Sequence, residues 1–401
     1  MEIEREIFQD LKLGLDDPEI LILIGARQVG KTYLMNQLEK SLSLKNKQIK
    51  YYNLEIPEDS RFFSQDIVDL YRQITDEVDV LFIDEFQYFD NASKFFKAIF
   101  DDRKLSIKII ASGSSSLEIH KHLKESLAGR KLERVIYPLT FNEFRQVNKS
   151  FEVYLVYGAL PGLYKQKTNQ SKIELINNLL STYILKDIKS LIKEENISAF
   201  NKLLYLLADF QAQIISISSL ARDLMLDNKT INHYLSILEK TFVLYSLSSF
   251  SGNLSNELKK SKKYFLFDNG IRNSILNDFS KIKDRNDKGT LHETYVNNLI
   301  RTKMPLNAEL RFWRTKSGDE IDFIYLKNRI PYIIEVKSKL KKAEIPKSFE
   351  KFLKAYPKTG KAFVINETLN QQILYKDFLV HFIKIEGLED SYEFEELFLN
   401  D

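Results

Sequence analysis

The sequence contains no cysteine among its 401 residues. That excludes disulfides and every zinc site built on thiolates. Histidine is scarce too: five, scattered along the chain, are a poor basis for a structural zinc site. No apolar run reaches membrane-spanning length and no basic-then-apolar leader opens the chain. The expectation is a cytoplasmic protein with no membrane partner. Also missing is an excess of one charge. Lys and Arg number 59 against 56 Asp and Glu, a net charge of +3, so a nucleic-acid site has to be a local patch. Hydrophobic residues are present at an ordinary 44%, and the length predicts two or three domains.

The first informative stretch is "EILILIGARQVGKTYLMNQLEK". It reads as a short apolar strand, a glycine-containing turn and an amphipathic helix, which is the context a phosphate-binding loop requires. The loop is Gly25, Ala26, Arg27, Gln28, Val29, Gly30, Lys31 and Thr32. Its glycines let the backbone curl around phosphate oxygens, and its N–H groups with the helix N-terminus face the anion. Lys31 is placed to reach the β- and γ-phosphates and Thr32 to hold Mg²⁺, which makes ATP and Mg²⁺ the expected cofactors. A strand-to-helix turn that matches by chance is the alternative.

A second stretch weakens that alternative. "VDVLFIDEFQYF" runs four apolar residues into Asp84 and Glu85, as a buried parallel strand would. Open α/β sheets take their ligands at the carboxyl ends of strands. Asp84 is the expected metal holder, and Glu85 the base that activates the attacking water. "SIKIIASGSSS" is another apolar strand, and Ser112 or Ser114 at its end could stand between the two motifs and help position water. Serine there is also ordinary turn chemistry. Arg130, after Ala128 and Gly129, is a candidate arginine finger for its own or a neighbouring subunit's γ-phosphate, and equally an ordinary surface arginine.

Together the phosphate loop, the apolar strand ending in Asp84-Glu85, "SGSSS" and "LAGR…YPLTFNEF" resemble the AAA+ ATPases. More narrowly, they are similar to the bacterial and archaeal group that carries a winged helix and a C-terminal nuclease-like domain. The resemblance implies an α/β chain: an ATPase core over 1–150, a helical lid over 151–210, a winged helix over 211–270 and a restriction-endonuclease-like α/β domain over 280–401. The "YPLTFNEF" segment is more specific to that group than the phosphate loop. Whether the ring-forming habit of AAA+ proteins, and so a homo-oligomer, applies here stays open.

The middle third reads as mostly helical to about residue 200, broken at "ALPG". It continues into "ISISSLARDLMLDNKTINHYLSILEKTFVLYSL". Ser218 or Ser219 can cap a helix carrying Leu220, Ala221 and Leu224, with "DNK" as the turn. Thr230 can cap a second helix, in which Ile231, Leu235 and Leu238 repeat at helical spacing. "FVLYSLSSF" and "KYFLFD" would be wing strands, and "NELKKSKK" a basic loop between them. Lys229, Asn232 and His233 lie near the exposed start of the recognition helix. DNA binding is the functional reading, although Asp227 and Glu239 dilute the positive charge and such modules also serve as protein contacts.

In the last third, "GTLHETYVNNLIRTK" is a helix with Glu293 near its start. "LRFWRTKSGDEIDFIYL" gives two strands around a turn, with Asp322 in the second. "IPYIIEVKSKL" gives a third, with Glu335 and Lys337 on one face. Asp322 can sit opposite them, forming a candidate site for a second Mg²⁺ or for Mn²⁺. This pattern is similar to the PD-(D/E)XK nuclease fold. Asp322, Glu335 and Lys337 match its core triplet, and Glu293 matches the helix acid that serves many members as a further metal ligand. Ile321 stands where many members have proline.

Besides a plain ATPase whose nucleotide binding serves stability or assembly, function follows in two versions. In one, an ATP-hydrolysing enzyme controls a C-terminal half that binds and can cleave DNA. In the other, an ATP-dependent switch binds a protein partner and the nuclease-like domain is catalytically silent. Nuclease folds persist as binding modules, so intact residues do not decide between them.

Overall fold

Continuous apolar runs build the central strands of the amino-terminal sheet. The computed structural model describes residues 2–44, 46–76, 78–102, 104–114, 127–182, 197–251, 261–376 and 378–399. By contact the chain forms two compact units. The first holds residues 1–139, Leu160–Tyr164 and Ser236–Val243, and the second Thr140–Ala159, Lys165–Leu235 and Leu244–Asp401.

The first unit carries strands β1 (Ile20–Gly25), β2 (Ile49–Asn53), β3 (Val80–Asp84), β4 (Lys108–Ser114) and β5 (Lys131–Val135). Their order is β2-β3-β4-β1-β5, all parallel. β1 and β3 are buried along their whole length, as expected of central parallel strands covered on both faces, whereas the edge strands β2 and β5 are half-buried. Helix Lys31–Ser43 follows β1 and buries Leu34, Met35, Leu38 and Leu42 at helical spacing. Phe63, Phe86, Phe89, Phe95 and Phe96 fill a core against Ile22, Ile24, Leu81 and Ile83. The order matters because β4 lies between β1 and β3. The carboxyl ends of the three strands, and the loops they launch, are therefore neighbours.

The second unit contains a three-stranded antiparallel sheet of β6 (Ile214–Ile215), β7 (Leu244–Leu247) and β8 (Lys262–Leu266), in the order β6-β8-β7. Before β7 come helices Ile217–Leu224 and Asn228–Lys240. The caps differ from the sequence expectation. Ser216, not Ser218 or Ser219, accepts the Ser219 N–H at 3.0 Å. Asp227, not Thr230, caps the second helix, taking the Thr230 N–H at 2.9 Å and its hydroxyl at 2.8 Å. A carboxylate suits a helix N-terminus better than a hydroxyl, so the acid that dilutes positive charge also fixes the helix start. The basic loop expected at 256–263 lies outside the described residues up to 260.

The larger sheet comprises β9 (Ala308–Arg314), β10 (Glu320–Lys327), β11 (Ile330–Val336), β12 (Ala362–Asn366), β13 (Gln371–Tyr375) and β14 (Phe378–Lys384). Its order is β13-β14-β12-β11-β10-β9, a mixed sheet with parallel β11-β12 and β12-β14 pairs. Trp313, Ile321, Ile324, Ile333, Phe349, Phe352 and Val364 form its core. By contact, the main stretch of the first unit ends at Leu139. "TFNEF" explains why. Thr140 and Glu143 form a capping box, and the free N–H groups of Phe141 and Asn142 both donate to the Glu389 carboxylate at 2.8 Å. Phe141 and Phe144 then pack edge-on against Tyr154.

Candidate active site

The phosphate loop is shaped by backbone conformations that few residues tolerate. Gly25 has φ +152° and Gly30 φ +100°, and a Cβ on Gly25 would stand 2.3 Å from the Ile136 carbonyl oxygen. Glycine is therefore required where β1 hands over to the loop. Gln28 also adopts a left-handed φ of 61°. Lys31, almost fully buried, donates from Nζ to the carbonyls of Gly25 at 3.1 Å and Ala26 at 3.0 Å. Burial lowers its pKa, against the opposing pull of Glu85 and Asp84. The ammonium is thus held inside the loop by two of its carbonyls. Val29 is buried and anchors the loop, while Arg27 donates to the Tyr88 hydroxyl at 3.1 Å and lies 3.4 Å from Glu55.

Across the gap, the Thr32 hydroxyl donates to Asp84 Oδ2 at 2.7 Å. The Tyr51 hydroxyl donates to the same oxygen at 3.3 Å, and Ser112 donates to Asp84 Oδ1. A hydroxyl and a carboxylate already paired across the end of the sheet form a donor set suited to magnesium. Glu85 adopts φ 55°, a left-handed turn that swings its side chain away from β3. Its Oε2 accepts from Gln87 Nε2 at 2.5 Å, the Ser114 N–H at 3.2 Å and the Ser114 hydroxyl at 3.0 Å. Burial pushes the Glu85 carboxyl up, but the Lys31 charge and these hydrogen bonds together hold it below its ordinary value. These contacts favour the ionised form of Glu85.

Of the two serines, Ser112 binds Asp84 and Ser114 binds Glu85. Gln87 was not singled out from sequence; it bridges Glu85 and, at 3.0 Å, the Ser114 hydroxyl. Its only signal is its place two residues after the acid. Arg5 is a second omission: buried, it donates to the Val29 carbonyl and to the Tyr137 carbonyl, both at 2.8 Å, bracing the loop from a distant part of the chain.

Arg130 lies elsewhere. It immediately precedes β5, and its carbonyl accepts the N–H of Ile20 at the start of β1. The loop leaves the other end of that six-residue strand, about 20 Å away at the rise of a β-strand. The guanidinium is paired with Asp101 at 2.7 and 3.2 Å. This placement and the ion pair suit an ordinary surface arginine, the alternative to a finger.

In the second unit the sheet gathers the other expected residues. Asp322 comes one step beyond the Phe323–Ile334 pair, which sets it beside Glu335, and its Oδ2 accepts the Val336 N–H at 2.9 Å. Lys337 donates to Glu335 Oε1 at 2.5 Å, so the pair shares a face as the alternation predicts. The pairing of β10 with β9 shifts register between Ile321 and Ile324, a bulge that re-aims Asp322. Phe312, opposite the bulge, bonds instead to Ser248 and Phe250. Burial, and then the neighbouring Asp322, raise the carboxyls of both Glu293 and Glu335 above the ordinary range.

Two residues at this acidic centre were not expected. Glu320 shares the Asp322 face of β10. Lys263, from β8 of the smaller sheet, is 1% exposed and projects its ammonium among the acids. Nζ lies 2.6 Å from Glu320, 3.4 Å from Asp322 and 3.7 Å from Glu293. Burial opposes its charge, but the three carboxylates outweigh burial and hold its pKa well above the ordinary value. Among the described residues no group of three or more acids and histidines is arranged to hold a metal ion. The acids expected to ligate Mg²⁺ thus converge, but around a lysine, and in this arrangement they do not fit a metal. Glu320 was legible as one half of Glu-x-Asp; Lys263 is some sixty residues upstream in sequence and gives no local signal.

With this geometry in hand, comparison with known proteins adds the following. Residues 17–145 match the family model described as AAA domain. Residues 148–282 and 288–386 match two models described as domains of unknown function (DUF8612 and DUF4143). An uncharacterized protein of Methanocaldococcus jannaschii is 26% identical over 385 residues, covering 87% of this chain and 82% of its own. Another, from Haemophilus influenzae, is 26% identical over 294 residues, covering 67% of this chain and 72% of its own. Among solved structures, AMPPCP-bound DnaA from Aquifex aeolicus is 16% identical with TM-score 0.31, covering 59% of this chain and 86% of that one. Pif1 helicase from Candida albicans is 14% identical with TM-score 0.30, covering 45% and 48%. Overlaps this partial establish no function. No helix among the described residues is long and apolar enough to cross a membrane. The match to an AAA domain over 17–145, joined to the loop and strand-end geometry, marks a parallel-sheet, P-loop ATPase-like core at the amino end of this α/β chain.

Proposed function

We propose that the chain hydrolyses ATP and uses the cycle to control a C-terminal half that binds DNA. The observation that supports this best is the joining of Lys31, Thr32, Asp84 and Glu85 at the ends of β1 and β3, with Ser112 of the intervening β4 bonded to Asp84. Lys31 exchanges its loop carbonyls for the β- and γ-phosphates, and the loop N–H groups with the helix N-terminus complete the cradle. Thr32 and Asp84 would hold Mg²⁺, which when bound neutralises developing charge on the phosphate oxygens. Glu85, kept ionised by Lys31, Gln87 and Ser114, takes the proton of the attacking water. Ser112 fixes the Asp84 carboxylate.

For DNA, the supporting features are the order helix, short strand, two helices and two strands, and an exposed recognition-helix start bearing Lys229, Asn232 and His233. Since net charge is small, the grip is local and salt-sensitive. The nuclease-like centre supports cleavage by its triplet and opposes it by the lysine in its middle. The triplet alone does not establish turnover. An ATP-dependent switch acting on a protein partner is the second reading, favoured by that same lysine. The test is a plasmid and linear DNA cleavage assay with Mg²⁺ or Mn²⁺, with and without ATP, beside Lys31→Ala and Lys337→Ala. Cutting that needs Lys337 makes the protein an ATPase-coupled nuclease. No cutting, together with no DNA binding, favours the second reading.

A further inference from the structure

The sequence predicted acids converging on a metal, yet β8 inserts a buried ammonium among them. We propose that Lys263 is a built-in counter-ion of the acidic centre, competing with a divalent cation for the carboxylates of Glu293, Glu320 and Asp322. The inference rests on reading these acids as a nuclease-derived metal centre.

The geometry carries it in three steps. Nζ of Lys263 lies within 3.7 Å of carboxylates from three places in the chain, the helix Lys288–Lys303 and two positions of β10. A divalent ion bridging the same oxygens would occupy the same space. The centre also has capacity that Lys263 leaves unused. Oε2 of Glu335 is buried without a hydrogen-bond partner, and Glu335 as a whole is 5% exposed. Unsatisfied carboxylate oxygens are costly in a protein interior, which favours a ligand able to use them. Finally, the lysine has its own support: β8 pairs it with Ile214 and Leu247, and its ammonium stands 5.8 Å from the Phe312 ring centre. Phe312 is the residue displaced by the bulge at Asp322. One local distortion thus aims the acid and seats the cation that neutralises it.

A plain buried ion-pair network would look alike in distance and burial, but it would not trade against metal. The full chain without nucleotide, and its Lys263→Met and Lys263→Arg variants, are titrated with Mn²⁺ while free Mn²⁺ is followed by EPR. Melting is recorded with and without Mn²⁺. Lys263→Met is expected to bind Mn²⁺ at least tenfold more tightly than the parent and to gain a larger rise in Tm from it. Lys263→Arg, which keeps the charge, should resemble the parent. The gain should vanish when Asp322→Asn is added. Mn²⁺ binding by Lys263→Met no tighter than by the parent overturns the competition while leaving the metal centre standing. Absence of Mn²⁺ binding dependent on Asp322 in every variant overturns both. A Lys263→Met chain that stays unfolded with Mn²⁺ present also counts against the proposal, because the metal should replace the missing charge.

Discussion

At the scale of single residues, the proposed ATPase site depends on atoms with no slack. A methyl group on Gly25 would meet a backbone oxygen at 2.3 Å in a φ that side chains avoid. Gly25→Ala is therefore expected to lose nucleotide binding altogether, measured by fluorescence of a labelled ATP analogue. Glu85→Gln keeps the shape but removes the base, so ATP should still bind while turnover falls about 100-fold or more. Gln87 acts through Glu85, and Gln87→Ala should lower kcat about tenfold, leave KM near its parent value, and shift the acid limb of the pH profile upward as Glu85 loses a donor. Unchanged kcat and an unchanged profile would remove Gln87 from that role. His292 supplies a stability test. Burial holds its pKa down to about 4 from 6.5, against the pull of Glu367. Between these values the unfolded chain takes up a proton that the folded chain refuses. Its contribution is therefore complete above pH 6.5 and is lost as the pH falls toward 4, about 3 kcal/mol in all. His292→Leu should flatten the fall of Tm across that window.

At the scale of elements, the central strands were legible, because parallel core strands announce themselves as unbroken apolar runs, whereas the polar edge strands β2 and β5 and the order of the sheet were not. The run "VLFID" ending in two acids located β3, and "IIASGS" located β4 between the motifs it serves. Turn chemistry was less legible. Ser216, Ser218 and Ser219 offer similar caps, and only the fold shows which hydroxyl meets a free N–H. Least legible were side chains delivered from afar: Arg5 to the phosphate loop, Asp101 to Arg130, Lys263 to the acidic centre. Each such contact satisfies a charge or carbonyl that its own neighbourhood leaves unpaired, and periodicity carries no trace of it. The "TFNEF" helix is a further case. Its capping box was readable as a pattern, but its carboxylate partner, Glu389, is 248 residues from Phe141. Glu389 also accepts from the buried Tyr295 hydroxyl at 3.0 Å. Glu389→Gln weakens charge-assisted bonds to two N–H groups at a helix start, so it should cost about 1.5–3 kcal/mol in urea unfolding.

At the scale of the whole molecule, the two units hold chemically separate centres. Asp322→Ala and Glu335→Ala should leave basal ATP turnover within about twofold of the parent, because no residue of the ATPase site belongs to their unit. Strong loss in both would point to a shared folding defect. Coupling between the units has to appear as DNA dependence. The central claim is therefore tested by steady-state ATP hydrolysis with and without duplex DNA, over a range of salt, for the parent and for Lys229→Ala/Asn232→Ala. Turnover that DNA stimulates in the parent, with a stimulation that salt and the double substitution both diminish, is the predicted result. ATP turnover indifferent to DNA at low salt would contradict an ATPase that works on DNA.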